Sequence, residues 1–417
     1  MVVIPPVGNH PSTRTQEDEV TVTKKRAGAL AALLTVLGAV AIMAATSASA
    51  AGSPIVIGWA FDSKGAMAPF DGPALAAAQI RVDQWNAKGG VKGRPLKIVT
   101  CDTQGNKPAI AKSCAAKLIG ANADIIFTTC DVDFAAPVVQ ESINAGKLTV
   151  APCIGTDQMG PKRFGPKGRL AFSFGNVAQD EGSAMAQYAY AKGWRTAALA
   201  SDTVIVYFKD VVKAFKARFT QLGGKIVAEE SYQSLGGSPA SWQSVVTRLD
   251  GKKADVIVTA TAPPFGAMVP ILNGLRTLGN DTPMLNSWAG DGTYWVSPDP
   301  KVTNYYFVTY ASIFGDDPNK AVTALAKKVK AGTGGFVTGS AAIDGVIVAI
   351  NRAGGSTNGL ALAAQLEKFT KVPTLSGLVS FSPKLHSVFG RQYRVIKIQD
   401  NNAKVVGSVV AKVVPKI

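Results

Sequence analysis

QWNAKGGVKGRPLKIVTCD, residues 84–102, packs Gly89, Gly90 and Gly93 into one short stretch. Glycines beside a β-rich run are read either as a cradle for a ligand phosphate or as a turn. A cradle needs the order strand, glycines, helix, so that free N–H groups and the positive helix end face the anion. Here the order is reversed. An amphipathic segment over 71–88, with Ala76, Ile80, Val82 and Trp85 near one face, comes first, and the β-rich PLKIVTC (95–101) follows. Gly89 and Gly90 fall where left-handed residues close the last turn of a helix. The glycines therefore mark the helix-to-strand edge of a sheet. Ligands in open α/β sheets bind at the other edge, beyond the C-terminal ends of the strands.

The same alternation runs outward in both directions. Strands are expected at PIVIGWA (54–60), PLKIVTC, ADIIFTT (123–129) and KLTVAP (147–152), with helices at 108–120 and 134–145 between the later ones. The second half repeats it, with strands at RTAALAS (195–201), KIVAEESY (225–232) and ADVIVTA (254–260) and helices at 207–223, 239–251 and 264–278. TPMLNSW (282–288) and NYYFVTYA (304–311) read as further strands. A helical pair follows at 318–331 and 338–353, and then a β-rich tail that turns at Asp400-Asn401-Asn402. Strands alternating with helices give parallel sheets covered on both faces. Two such runs in 417 residues predict an α/β protein of two doubly wound parallel-sheet lobes with right-handed crossovers.

Residues 1–50 stand apart. Lys24, Lys25 and Arg26 precede the apolar run AGALAALLTVLGAVAIMAA and the small-residue ending TSASA, the pattern of a secretory leader cut after Ala50. A retained anchor is the alternative, since the run is nearly long enough to span a bilayer. No cysteine stands near the cut to take a lipid. No second apolar run is long enough to span, so the expectation is a mature chain in the periplasm or cell envelope with no stable membrane span. The net charge of +16 comes from Lys and Arg scattered, usually singly, along the chain. That is a solvated basic surface, without the clustering that a nucleic-acid groove requires. Charged residues make up only 17% and hydrophobic ones 47%, which excludes a disordered chain.

The four cysteines, Cys101, Cys114, Cys130 and Cys153, are an even set in an exported chain and read as disulfides. Pairing Cys101 with Cys114 and Cys130 with Cys153 joins elements expected to be neighbours, although three connectivities are possible. Their spacing is wide for a metal site and no histidine is near. Beyond His10 in the leader, His386 is the only histidine. It has no Gly-x-Ser-x-Gly elbow to accompany it, and GWAFDSKG rather than Gly-x-Gly-x-x-Gly follows the first strand. A hydrolase or a dinucleotide enzyme is therefore not expected, nor is any cofactor or metal. No helix-turn-helix opens the chain, as it would in a regulator built on the same lobes.

Five stretches together resemble a known family. NAKGGVKGRPLKIVTCD, FSFGNVAQDEGSAMAQYA, ALASDTVIVYFKDVVKAFKARFTQLGGKIVAEESY, AAIDGVIVAINRAGG and LSGLVSFSP are similar, in order, to the type I periplasmic solute-binding proteins of ABC importers, Leu/Ile/Val-binding branch. The resemblance implies a Venus-flytrap fold of two lobes joined by three crossovers, one lobe at 54–176 plus 312–376 and the other at 177–311 plus 377–417. It further implies a monomer that closes on a small amino acid or related solute between its lobes, performs no catalysis, and serves an ABC permease and ATPase. The alternative is an extracellular sensing or scavenging module of the same fold without a transporter.

The family holds its ligand with loops after the first, third and fourth strands, here FDSKGA (61–66), TCDVDF (129–134) and CIGTDQ (153–158). An amino acid needs hydroxyls and helix-start N–H groups for its carboxylate and an acid for its ammonium. Thr129 and Thr156 match the family's hydroxyl positions, with helix capping as their alternative role. TCDVDF departs from the family's small residues. Asp131 is placed to meet a cationic group or to complement the helix dipole, and Asp133 to do the latter. Tyr207 matches a family tyrosine that reaches the cleft, with Phe208 where glycine is usual. Thr261 and Phe265 fall after one strand of the second half, and Trp288, Asp291 and Trp295 after the next. Phe61 and Trp288 are the aromatics expected to face the solute. Asp102 and Asp344 match family positions with structural roles, strand-end capping and helix or interlobe packing.

Overall fold

A computed structural model describes residues 52–416; the leader expected over 1–50 lies outside them. The chain runs β1 (Ile55–Phe61), α1 (Ala68–Asn86), β2 (Leu96–Asp102), α2 (Pro108–Gly120), β3 (Ile125–Phe127), α3 (Val132–Asn144), β4 (Leu148–Ala151), α4 (Pro161–Phe164), β5 (Ala171–Asn176) and α5 (Ala178–Ala191). It continues through β6 (Thr196–Asp202), α6 (Val206–Gln221), β7 (Lys225–Tyr232), α7 (Pro239–Asp250), β8 (Val256–Ala260), α8 (Met268–Thr277), β9 (Met284–Asn286) and β10 (Tyr305–Thr309). The last part holds α9 (Lys320–Val329), α10 (Phe336–Arg352), α11 (Gly359–Leu366), β11 (Val372–Thr374), β12 (Gly377–Val379), β13 (Ser387–Val388), β14 (Tyr393–Gln399) and β15 (Asn402–Val409).

Two sheets result. The first has the order β13-β5-β4-β3-β1-β2 and is parallel throughout. The second has the order β15-β14-β10-β9-β8-β6-β7, parallel except where β14 and β15 run antiparallel at one edge. β3, β4, β5, β8 and β10 are buried at every residue, as apolar strands sandwiched between helix layers must be. Edge strand β7 instead alternates exposed and half-buried positions.

The glycine cluster is a turn. Gly89, Gly90 and Gly93 have φ of 92°, 74° and 75°, and the Gly90 N–H closes on the carbonyl of Trp85 at 2.9 Å. α1 starts at Ala68, earlier than expected. Its buried stripe is Phe70, Ala74, Ala77, Ala78 and Val82, while Ala76, Ile80 and Trp85 are only half-buried. Small residues set that stripe because α1 lies hard against α10, where a side chain at Gly339 would run into the Ala74 carbonyl. Arg81 Nε and Trp85 Nε1 both donate to Asp344 Oδ1, at 2.7 and 3.0 Å, so Asp344 ties α10 to α1. Asp102 accepts from the Ser63 and Gln104 N–H groups and from the Ser63 hydroxyl, which caps the end of β2.

Both expected disulfides are present. Cys101–Cys114 joins β2 to α2 with Cα atoms 5.5 Å apart, and Cys130–Cys153 joins the loops after β3 and β4 at 4.8 Å. Among the described residues no helix is long and apolar enough to cross a membrane.

Residues 171–191 carried no expected element, yet they form β5 and α5. Ala178 through Ala186 are all buried, so no polar face marks a helical period. The chain passes between the sheets three times, after Asn176, after Thr309, and between Val388 and Tyr393. The third passage comes later than the 376/377 boundary expected from the resemblance, because Ser387 and Val388 pair with β5 in the first sheet. All three passages meet at Asn176. Its N–H donates to the Tyr310 hydroxyl at 3.3 Å, and its Nδ2 donates to Tyr393 at 2.6 Å and to Asp180 at 2.7 Å. Arg391, 2% exposed, donates to the Phe174 carbonyl and stacks its guanidinium 4.8 Å from the Tyr310 ring.

Candidate functional site

Strand ends from both sheets converge on one small space of about 20 Å3, lined by Met67, Phe70, Cys130, Asp131, Ile205, Tyr207, Phe208, Ala262, Phe265, Trp288 and Ala289. These residues follow β1, β3, β6, β8 and β9, all at the C-terminal edge opposite the glycine turn. Aromatic rings close the space from the two sides. Phe70 meets Trp288 edge-on at 5.1 Å, and Phe134 meets Phe265 in the same way at 6.1 Å. Within the second half Tyr207 lies 6.2 Å from Trp288 and Phe208 5.4 Å from Phe265. A side chain on Gly155 would collide with the Tyr207 ring at 2.6 Å, so the loop after β4 lies directly against it.

Three buried carboxyl groups stand around the space. Asp131, 4% exposed, caps α3: its Oδ1 accepts from the N–H groups of Asp133 (2.9 Å) and Phe134 (3.3 Å). Burial, helped by the neighbouring Asp133 charge, pushes its pKa up to about 7. Glu181 is fully buried behind Tyr207 and Trp288. Its Oε1 accepts from the Tyr207 hydroxyl at 2.9 Å and the Trp288 N–H at 2.7 Å, its Oε2 has no partner, and burial pushes it up to about 8. Asp71 holds the N–H groups of Asp62 and Cys130 at 2.8 and 3.0 Å, and burial raises it to about 7. No lysine, arginine or histidine lines the space. Arg163 is paired with Asp133 at 2.7 Å. Asp133 also accepts from the N–H of Val206 at 2.9 Å, which occupies the start of α6.

Of the residues expected to touch a ligand, Asp131, Tyr207 and Trp288 line this space together. Asp131 does so while complementing the start of α3. Thr129 is buried beside Cys130 and its hydroxyl has no partner, so it is not a cap. Thr156 accepts from the Gln158 N–H at 3.3 Å and receives the Ser387 hydroxyl on its carbonyl. Thr261 gives its hydroxyl to Asp202 at 2.7 Å, a bond that fixes the end of β8 to β6. Phe61 is half-buried at the end of β1 with its carbonyl taken by Thr103. Phe61, Thr156 and Thr261 are thus not among the lining residues. Asp291 and Trp295 are not either. Asp291 holds the Gly334 N–H at 2.6 Å, and Trp295 packs on Tyr305. Glu181, Met67 and Phe70 are functional candidates that the residue patterns left unmarked. The one signal for Glu181 was an acidic pair, Asp180-Glu181, inside an apolar run.

His386 is buried. It stacks flat on Phe172 at 3.9 Å, its Nδ1 is held 2.9 Å from the Ala171 carbonyl, and burial lowers its pKa.

Two α/β halves joined by three passages, with strand ends enclosing an internal space, define a bilobal ligand-binding protein. The periplasmic binding protein family model matches residues 54–403, and the chain belongs to that family. The fold is the type I periplasmic binding protein fold, and the family is one of solute binders, not of enzymes. The chain is 23% identical over 332 residues to the Leu/Ile/Val-binding protein BraC3 of Rhizobium johnstonii, covering 76% of this chain and 86% of that one. Identity to Leu/Ile/Val-binding protein homolog 3 of Brucella melitensis is also 23%, over 80% of this chain and 89% of the relative. Among solved structures, the branched-chain amino acid transporter substrate-binding protein LivJ of Streptococcus pneumoniae, in complex with isoleucine, superposes with a TM-score of 0.72 at 21% identity, over 86% of this chain and 99% of its own. A solute-binding protein of an ABC transporter from Rhodopseudomonas palustris, in complex with 3,4-dihydroxybenzoic acid, gives 0.69 at 18% identity, over 86% and 95%.

Proposed function

We propose that the chain is an exported solute-binding protein. It captures an amino acid or related small organic molecule between its halves and presents the closed form to an ABC permease and its ATPase. The supporting observation is the single space walled by Phe70 and Asp131 from one half and by Tyr207, Phe265 and Trp288 from the other. Residues from two halves meet around a ligand only when those halves close on it, and the three passages at Asn176 provide the hinge. The leader over 1–50 is removed after Ala50, the mature protein works as a monomer in the periplasm or cell envelope, and the lobes divide at the passages. Solved structures of the same fold hold isoleucine or 3,4-dihydroxybenzoic acid, which supports a small organic solute here.

The test is a thermal-shift screen of the purified chain from residue 51 onward against amino acids, aromatic acids, amides, ureas and amines. A ligand that binds only the folded form raises the melting temperature by mass action. A shift from at least one class, confirmed by calorimetry and reduced by Trp288→Ala, is expected. Silence from every class overturns the reading.

A further inference from the structure

The solute-binding reading identifies the walls of the space and leaves open what holds them in place. Two rings of the second half reach the first. Trp288 stands edge-on to Phe70 at 5.1 Å, and Tyr207 lies against the loop at Gly155. Both hang on one oxygen. Glu181 Oε1 accepts from the Tyr207 hydroxyl at 2.9 Å and from the Trp288 backbone N–H at 2.7 Å. That oxygen ties α5 to the start of α6 and to the loop after β9.

Glu181 does not itself line the space, and it is fully buried. The residue before it, Asp180, accepts from Asn176 Nδ2 at 2.7 Å and from the Gly390 N–H at 3.0 Å, groups of the first and third passages. The acidic pair in the first turn of α5 therefore reaches from the hinge to the closing wall. The charge that acts on Glu181 is that of Asp180, of the same sign, so nothing offsets its burial and it stands as a neutral acid. Its accepting oxygen still satisfies two donors that an apolar side chain would leave buried and unpaired. Groups that shape a binding surface are held to one geometry by such bonds from behind. We infer that Glu181 is a positioning residue for solute capture: without touching the solute, it sets Tyr207 and Trp288 in the arrangement onto which the first half closes.

This inference rests on the solute-binding reading, and its first readout needs no solute. The chain from residue 51 onward is labelled with 5-fluorotryptophan at its six tryptophans, and the Trp288 fluorine resonance is assigned with Trp288→Phe. Glu181→Gln keeps the accepting oxygen and should leave that line in place. Glu181→Leu, of similar volume, removes it and should shift or broaden the line while circular dichroism is unchanged. The groups facing Glu181 are Asp180 on its own helix, Tyr207 on α6, Tyr310 after β10 and Tyr393 on β14, with Arg391 beside Asp180. Burial raises Asp180 to about 6 and pushes the tyrosines well above their ordinary range. The Trp288 line of the parent should therefore move through pH 8 with Glu181 and stay still in Glu181→Gln, which decides the question even if Glu181→Leu fails to fold. The second readout is calorimetry with isoleucine, 3,4-dihydroxybenzoate and any compound that raises the melting temperature in the wider screen. Glu181→Gln is expected to bind within about threefold of the parent and Glu181→Leu at least about tenfold more weakly. A Trp288 line unmoved in folded Glu181→Leu, or one that still titrates in Glu181→Gln, overturns the inference. So does binding by Glu181→Leu as tight as the parent's, which leaves solute capture standing. No binding by the parent, here or in the wider screen, overturns both.

Discussion

Asp133 Oδ2 accepts a hydrogen bond from the backbone N–H of Val206 at 2.9 Å, carrying the first turn of α3 in one half to the first turn of α6 in the other. The same carboxylate holds Arg163 through its other oxygen at 2.7 Å, so the contact is braced from behind. A charge-assisted bond at a helix start contributes about 1.5–3 kcal/mol when well formed, and this one exists only while the halves touch. Asp133→Ala is therefore expected to shift the ligand-free protein toward an open form, seen as a larger radius of gyration in small-angle scattering. Ligand affinity should fall by about tenfold. Unfolding free energy should change by only about 1 kcal/mol, since no core packing is removed.

The buried acids set the pH response. Glu181 is raised to about 8, and Asp131, Asp71 and Asp291 to about 7, in each case first through burial. A carboxyl raised in the folded state is protonated there while its unfolded counterpart has already ionised. Folding thus takes up protons, and stability falls as pH rises. The melting temperature should be highest near pH 5 and decline through pH 8, the reverse of acid denaturation by salt-bridged carboxylates. Glu181→Gln removes the highest of these titrations and should flatten the decline between pH 6 and 8. A profile that rises over that range would contradict the assignment.

Asn176 joins three passages through one side chain and one N–H, and it is fully buried. Asn176→Ala leaves Asp180 and the Tyr393 hydroxyl without a partner at this point. The cost is expected to be about 2–3 kcal/mol in urea unfolding. Because these bonds fix the hinge rather than either sheet, hydrogen exchange should rise first at 176–180, 309–312 and 388–393. Protection in β3 and β8 should hold.

The strands were legible because apolar runs of four to eight residues bounded by turn residues have few other homes in a long α/β chain. The start of α1 was missed by three residues because the helix opens at Ala68 with Pro69 in its first turn, where a missing N–H costs nothing. α5 was invisible because it is buried on nearly every face. The same burial hid Glu181: an acid in an apolar helix gives no sign of whether it faces solvent or a cavity. For Asp131 the residue type suggested two roles; its Oδ1 caps the start of α3, and the residue also lines the space. Phe61 and Thr156 lie on the expected loops but are not among the lining residues. Loop position alone does not say which way a side chain turns.

Gly155 lies where the loop after β4 meets the Tyr207 ring, and an added Cβ would fall 2.6 and 2.8 Å from two ring carbons. Tyr207 is 4% exposed and held at its hydroxyl by Glu181, so the ring cannot swing aside without losing that bond. The backbone behind the glycine is equally confined, since the adjacent Ile154 carbonyl is taken by the Ser173 hydroxyl at 2.7 Å. Gly155→Ala should thus act as a wedge between the halves. Each half keeps its own sheet and helix packing, so the unfolding free energy should stay within about 1 kcal/mol of the parent. Closure is what suffers: a contact overlapping by several tenths of an ångström costs about 1–3 kcal/mol in a packed setting, and that cost falls wholly on the closed form. Ligand affinity is expected to drop by about tenfold or more, with a faster dissociation rate, and scattering should show the liganded protein remaining partly open. Tyr207→Phe in the same background removes the bond that pins the ring and should restore part of the affinity. If Gly155→Ala binds as tightly as the parent, Tyr207 does not stand between the halves when the solute is held.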